Sequence, residues 1–144
     1  MARKQIKKAG KGSAGQNRKN SASFIDKYLQ KPGVETTDSG LAYRFVELTD
    51  SDQRATDWDT VTIEQRLLLA DGTVISDTYR EGQSEVFKVE QAIDGLREAL
   101  QLMPLGSRME VVVPPELAWG KRGNRSKIGP NAVLFFDLRL LNIS

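Results

Sequence analysis

The chain has 144 residues, of which 39% are hydrophobic and 28% are charged, values typical of one soluble globular domain. It contains no cysteine and no histidine, which excludes disulfides, thiol or imidazole catalysis, and zinc sites with those ligands. No apolar run approaches the ~18 residues that span a bilayer, and no apolar region follows the basic amino end. We therefore expect a cytoplasmic protein with no membrane contact.

Charge is distributed unevenly along the chain. The net charge is +2, but residues 1–20 hold seven basic and no acidic side chains, which leaves 14 basic and 19 acidic residues, a net charge of −5, for the remainder. The basic residues of this segment, called the basic tail below, are Arg3, Lys4, Lys7, Lys8, Lys11, Arg18 and Lys19. Ile6 is its only large branched residue, so we expect the tail to be disordered when free. Such a segment favours RNA or the ribosome as a partner, with simple solvation as the alternative.

A short helix and linker are predicted over residues 21–32. Ser21 or Ser23 would cap the helix, and Phe24 and Tyr28 have the spacing of one helical face. A Pro-Gly pair then ends it. Because two or three turns are unstable alone, this helix should pack on the body of the protein.

Alternating apolar residues predict strands from Thr36 onward. The strand candidates are residues 41–46, 61–69, 74–75, 86–89, 109–113 and 132–143. Asp71-Gly72 indicates a tight turn, and residues 79–84 are typical of a loop. Short strands separated by such turns favour an antiparallel sheet of five or six strands.

One internal segment has a helical period. Apolar residues share one helical face from position 93 to 103, and they are Ile93, Leu96, Ala99, Leu100 and Met103. The following Pro104 ends the helix. One helix across an antiparallel sheet is an α+β fold.

Three stretches carry a resemblance to a known family: LLLADGTVISDT, VFKVEQAIDGLREALQLMPLGSRMEVVVPPELAWGKRG and IGPNAVLFFDLRLL. They resemble the FKBP-type peptidyl-prolyl cis–trans isomerases over residues 33–144. The lead-in TTDSGLAYRFVE resembles the segment before the isomerase domain in bacterial macrophage-infectivity-potentiator-like members. The resemblance implies a twisted antiparallel sheet wrapped around one helix, proline-containing polypeptides as substrates and no cofactor. Those members have a dimerising helical region upstream that is much shorter here, so we expect a monomer.

The resemblance also implies site residues. Those matching catalytic positions are Ile93, Trp119 and Phe136, and those matching substrate-binding positions are Ile75, Ser76, Phe87, Ala92, Leu96 and Ile128. In the family, the backbone N–H at the position of Ile93 meets a ligand carbonyl, and a Tyr hydroxyl binds ligand where Trp119 stands. Leu96 replaces a Trp on the pocket floor, and a purely structural role in the core is its alternative.

Several positions depart from the family pattern. Ile75 replaces Phe, Ser76 replaces Asp, Gln65 replaces Tyr and Glu85 replaces an aromatic residue. X–Pro rotation breaks no covalent bond, so the reaction needs no nucleophile, only shape and desolvation. The altered lining predicts reduced isomerase activity and weak binding of macrolide inhibitors. A non-catalytic peptide-binding or chaperone module is the alternative.

Overall fold

The computed structural model describes residues 13–124 and 127–144. In these residues seven strands form one antiparallel sheet: β1 (Glu35–Thr36), β2 (Ala42–Glu47), β3 (Thr60–Leu69), β4 (Val74–Asp77), β5 (Glu85–Lys88), β6 (Arg108–Val113) and β7 (Leu134–Ile143). Their order is β1-β2-β6-β7-β3-β4, and β5 pairs with the first half of β3. The predicted α+β class is confirmed. The sheet exceeds five or six strands because the two-residue β1 also pairs with β2.

The core lies on one face of the sheet, where the period-2 pattern of the sequence places its apolar residues. Every second residue is buried in β3 and, as far as Leu140, in β7, and the apolar ones are Val61, Ile63, Leu67 and Leu69 in β3 and Leu134, Phe136, Leu138 and Leu140 in β7. Gln65 occupies the remaining position of the row in β3. The long pairing of β3 with β7 therefore forms the centre of the domain.

The main helix, α3, spans Asp94–Leu102 and lies against this core, as predicted. Ala99, Leu100 and Met103 are completely buried, whereas Ile93 and Leu96 at its amino end are half-buried. Met103, directly before Pro104, has an extended backbone (φ −90°, ψ 122°) and ends the helix.

The first helix, α1, spans Ala14–Leu29, so the prediction that it begins at residue 21 was wrong. Ser13 is its cap, because the Ser13 side chain accepts a hydrogen bond from the backbone N–H of Gln16. Ser21 is instead buried within the helix: its hydroxyl donates to the carbonyl of Asn131 and accepts from the N–H of Val133. The helix is therefore held along its length by the segment before β7.

The α1 helix covers the face of the sheet opposite α3. Tyr28 is buried there among Ala42 and Val112, and the rings of Phe24 and Tyr28 each lie 6.2 Å from the ring of Phe135. The predicted packing of this helix on the body is confirmed. These ring contacts, together with the hydrogen bonds of Ser21, explain why a segment of low apolar content is helical.

Two further segments differ from the sequence prediction. Arg18 and Lys19 lie exposed on α1, so this part of the basic tail is not disordered, while Arg3, Lys4, Lys7, Lys8 and Lys11 lie outside the described residues. The predicted loop after β4 begins with a one-turn helix, α2 (Thr78–Glu81), which Asp77 caps at its start and Gly82 ends with φ 73°. Within residues 13–124 and 127–144, every helix is too short or too polar to cross a bilayer.

Candidate active site

A cavity of about 320 Å³ opens on the core side of the sheet, between β3, β5 and the start of α3. Its lining residues are Gln65, Leu67, Glu85, Val86, Phe87, Gln91, Ala92, Ile93, Leu96, Trp119 and Phe136. This volume is at the lower end of the range of about 300–1,000 Å³ that ligand pockets occupy. The lining is mainly apolar, with a few polar groups on one wall.

The cavity brings together most of the residues that the family resemblance singled out. Ile93, Trp119 and Phe136 line it, and so do Phe87, Ala92 and Leu96. The remaining three predicted residues, Ile75, Ser76 and Ile128, lie outside its lining.

Each of these three residues has a different position. Ile128 is 1% exposed within the main core, where its backbone N–H donates to the side chain of Asn124. Ile75 is half-buried against the same core, and Ser76 Oγ lies 3.5 Å from the Nε2 of Gln65. Ile128 therefore packs in the core outside the cavity lining, and its predicted contact with substrate stays a prediction.

Ile93 stands at the point where the chain enters α3. Its backbone is extended (φ −61°, ψ 157°), and its carbonyl accepts from the N–H of Arg97 at 2.9 Å. Because both Ala92 and Ile93 line the cavity, the amino end of α3 is directed toward it. The N–H groups and partial positive charge of a helix start favour carbonyl oxygens of a bound chain.

Gly95 determines how closely α3 approaches the sheet. A Cβ atom at this position would lie 2.3 Å from Cγ1 of Val113 and 3.2 Å from the carbonyl oxygen of Leu117. Only glycine therefore fits between the helix and β6. This close approach fixes the height of Ile93 and Leu96 above the sheet.

Trp119 lies on a tightly folded loop after the 3-10 turn Pro115–Leu117. The backbone N–H groups of Ala118 and Gly120 both donate to the carbonyl of Pro115, at 3.0 and 2.8 Å, and Gly120 allows this with φ 57°. The indole is half-buried, packs against the core and faces the cavity. Its N–H can donate to a ligand but has no capacity to accept.

Phe136 and Leu96 contribute apolar surface at the base of the cavity. Phe136 is 3% exposed and pairs across the sheet with Leu67, another lining residue. Leu96 packs against the core and also lines the cavity, so its position is compatible with both interpretations of this residue. Because leucine is smaller than the Trp that the family has at this position, the base of the cavity offers less apolar surface here.

One wall of the cavity is polar. Gln65 and Glu85 face each other, and the Nε2 of Gln65 donates to Oε1 of Glu85 at 2.6 Å. Leu67, Val86 and Gln91 also line the cavity without having been predicted. Leu67 and Val86 belong to β3 and β5, whose pairing register a single sequence does not reveal, and Gln91 lies in the 3-10 turn Val89–Gln91 before α3. Within the described residues, no group of three or more acidic side chains could hold a metal ion.

Comparison with known proteins identifies the family of this arrangement. The pattern of the FKBP-type peptidyl-prolyl cis-trans isomerases matches residues 51–141, well over half of the chain. The chain belongs to this FKBP-type family. Residues 1–45 match the domain amino-terminal to FKBP-type peptidyl-prolyl isomerases. The resemblance seen in the sequence is thereby confirmed.

Similar FKBP-type proteins come from bacteria. The outer membrane protein MIP of Legionella longbeachae is 39% identical over 130 residues, which are 90% of this chain and 55% of that protein. The peptidyl-prolyl cis-trans isomerase Mip of Coxiella burnetii is 37% identical over 127 residues, with 88% and 55% covered. The crystal structure of FkpA from Escherichia coli superimposes with a TM-score of 0.86 at 33% identity, covering 91% of this chain and 61% of that one. The chain thus spans about half the length of the curated relatives that it matches.

Proposed function

We propose that this protein is a peptidyl-prolyl cis–trans isomerase that accelerates X–Pro rotation in flexible or unfolded chains. The observation that carries the proposal is the apolar cavity with Ile93 at a helix start, Trp119 above and Phe136 at the base. Family membership supports the same conclusion.

The geometry suits a reaction without covalent steps. The rotational barrier of ~18–20 kcal/mol comes from amide resonance, which is lost as the bond twists. Water stabilises the planar, polar amide, so apolar walls such as Leu67, Phe87 and Phe136 raise its free energy relative to the twisted form. The N–H groups of Ile93 and of the Trp119 indole would hold the carbonyl groups of the bound segment.

Exchange spectroscopy by NMR on proline-containing peptides tests this proposal directly. The full chain should increase the cis–trans exchange rate in proportion to its concentration, for several residues before proline. Uncatalysed exchange takes tens to hundreds of seconds, so even slow catalysis is measurable. Exchange rates that stay at the uncatalysed value for every peptide would refute the proposal.

A second candidate is a peptide-binding or chaperone module without turnover. It is favoured by the polar wall of Gln65 and Glu85 and by the small apolar surface of Leu96 at the base, because both weaken the desolvation of a bound amide. Under this alternative, peptides shift the NMR signals of Ile93 and Trp119 but the exchange rate does not rise. Leu96→Trp discriminates further, since a larger apolar surface at the base should raise isomerase activity only if the cavity is catalytic.

The basic tail supports a separate proposal of contact with RNA or the ribosome. Arg18 and Lys19 are exposed on α1, and in the sequence they continue the run of basic residues that begins at Arg3. Removing residues 1–12 would leave this helix and its Ser13 cap in place. The truncated chain should lose retention on RNA at low salt, and unchanged retention would contradict the proposal. The monomeric state and the cytoplasmic location also stay predictions.

A further inference from the structure

A glutamine amide is buried in the wall of the cavity. Gln65 is 8% exposed and occupies a position in β3 whose neighbours in the row are all apolar. Its backbone is fixed by Thr78, whose Oγ1 accepts from the Gln65 N–H at 2.8 Å. The strand and Thr78 therefore fix the backbone from which the Gln65 side chain extends into the cavity wall.

The chemistry of Glu85 determines which way this amide faces. A carboxylate only accepts hydrogen bonds, so the Gln65 nitrogen must face it, and Nε2 donates to Glu85 Oε1 at 2.6 Å. The carbonyl oxygen, Oε1 of Gln65, is then buried, and no donor among the described residues reaches it. An acceptor left without a donor in a buried position is costly, and a bound ligand with N–H groups would relieve that cost.

Glu85 adds a negative charge beside this acceptor. It is the only charged residue among the described residues that line the cavity. The pairing of Ile63 with Glu85 and of Val61 with Phe87 places the carboxylate on the same strand as the aromatic ring of the lining. The cavity thus places apolar surface suited to a proline ring next to a negative charge.

Resting on the function proposed above, we propose that Gln65 and Glu85 select proline segments that carry a lysine or arginine next to the proline. The cationic head supplies several N–H donors, which satisfy the free oxygen of Gln65 and pair with the Glu85 carboxylate. Phe87 and Phe136 meanwhile cover the proline ring. An acidic neighbour would meet repulsion from Glu85 and bring no donor.

The test measures both binding and catalysis with matched peptides on the full chain. One series places Lys, Leu or Glu before the proline, and a second places the same residues after it. Binding is followed by the indole N–H signal of Trp119, and catalysis by NMR exchange spectroscopy. We expect the Lys peptide of at least one series to bind about five- to tenfold more tightly than its Glu counterpart at low salt, as for a partly solvated, hydrogen-bonded ion pair.

Two variants identify the source of the preference. Glu85→Gln removes the charge at nearly constant size and should abolish the difference between Lys and Glu peptides. Glu90→Gln is the matched control, since Glu90 is exposed and outside the cavity lining, and it should retain the preference. Equal loss in both variants would assign the effect to overall charge and overturn the proposal.

The outcomes separate this proposal from the isomerase function. Equal binding of all peptides would overturn the proposed selectivity for Lys and Arg. A preference for acidic peptides, caused by the basic loop at Lys121, Arg122 and Lys127, would overturn it as well. Exchange accelerated without charge dependence would leave the isomerase function standing. Preferred binding of Lys peptides without acceleration would instead refute the enzyme and retain the selectivity.

Discussion

Substituting Gly95 by alanine tests how closely α3 is seated on the sheet. The new Cβ would lie 2.3 and 3.1 Å from the two methyl carbons of Val113, and 3.2 Å from the carbonyl oxygen of Leu117. Val113 is completely buried in a close-packed core, so its methyl groups have little free space into which to rotate. The helix must therefore move away from β6, or the core must deform.

The magnitude follows from two opposing terms. Overpacking a core costs about 1–3 kcal/mol, and two methyl groups met at once favour the upper end of that range. Alanine recovers about 1 kcal/mol of helix propensity over glycine. We therefore expect Gly95→Ala to lower the free energy of unfolding by about 2 kcal/mol, as the difference of these two terms.

Urea denaturation followed by circular dichroism measures this loss. Gly15→Ala is the matched control, because Gly15 is also helical and a Cβ there would meet nothing within 4 Å. That variant should be as stable as the wild type or slightly more stable. Combining Gly95→Ala with Val113→Ala should cost less than the sum of the single losses, because the clash is then removed. A Gly95→Ala protein as stable as the wild type would refute the reasoning.

Three further predictions concern the site, the first helix and the tyrosines. Trp119→Ala should reduce isomerase activity by more than about tenfold, since a tenfold loss needs only ~1.4 kcal/mol of transition-state binding. Unfolding of this variant should stay cooperative. The other tryptophan, Trp58, is 81% exposed and outside the cavity, so an equal effect of Trp58→Ala would contradict the assignment. Ser21→Ala should lower the free energy of unfolding in urea by about 2 kcal/mol, because it removes the partner of the buried N–H of Val133 and of the half-buried carbonyl of Asn131. A loss no larger than that of the exposed Ser23→Ala would contradict this. Burial, followed by the charge of Asp137, raises the pKa of Tyr79 to about 12, and burial also raises the pKa of Tyr28 and Tyr43 above 10. Folding therefore favours the protonated phenols, so stability should fall as the pH rises from about 10 toward 12. Absorbance at 295 nm should show less tyrosine ionisation in the folded chain than in urea over that window, and identical curves would be inconsistent with the burial.

The parts of the fold that follow local periodicity could be predicted from the sequence. The apolar face of α3 and the alternation in β3 and β7 both appear in the structure as expected. The start of α1 was missed although Ser13 and Gln16 have the Ser-x-x-Gln spacing of a capping box. The low apolar content of residues 14–20 concealed it, because that part of the helix is fixed by hydrogen bonds to the segment before β7.

The site was partly predictable because its apolar residues belong to a family pattern. The resemblance placed Ile93, Trp119 and Phe136 correctly at one cavity. It did not reveal the hydrogen bond between Gln65 and Glu85, because that contact depends on a pairing register between strands 20 residues apart. Nor did it reveal that Ile128 faces inward, which the fold of its loop determines.

The position of β7 in the sheet affects how the protein is made. This strand, Leu134–Ile143, lies between β6 and β3, so it joins the two halves of the sheet. A ribosome synthesises the six other strands first. Until β7 emerges, β6 and β3 have no strand between them, and the apolar faces of both halves of the sheet stay uncovered. The nascent domain thus stays open, with its core exposed, through most of its own translation. Apolar surface that is exposed in this way favours aggregation, so the completion of β7 marks the point at which that tendency ends.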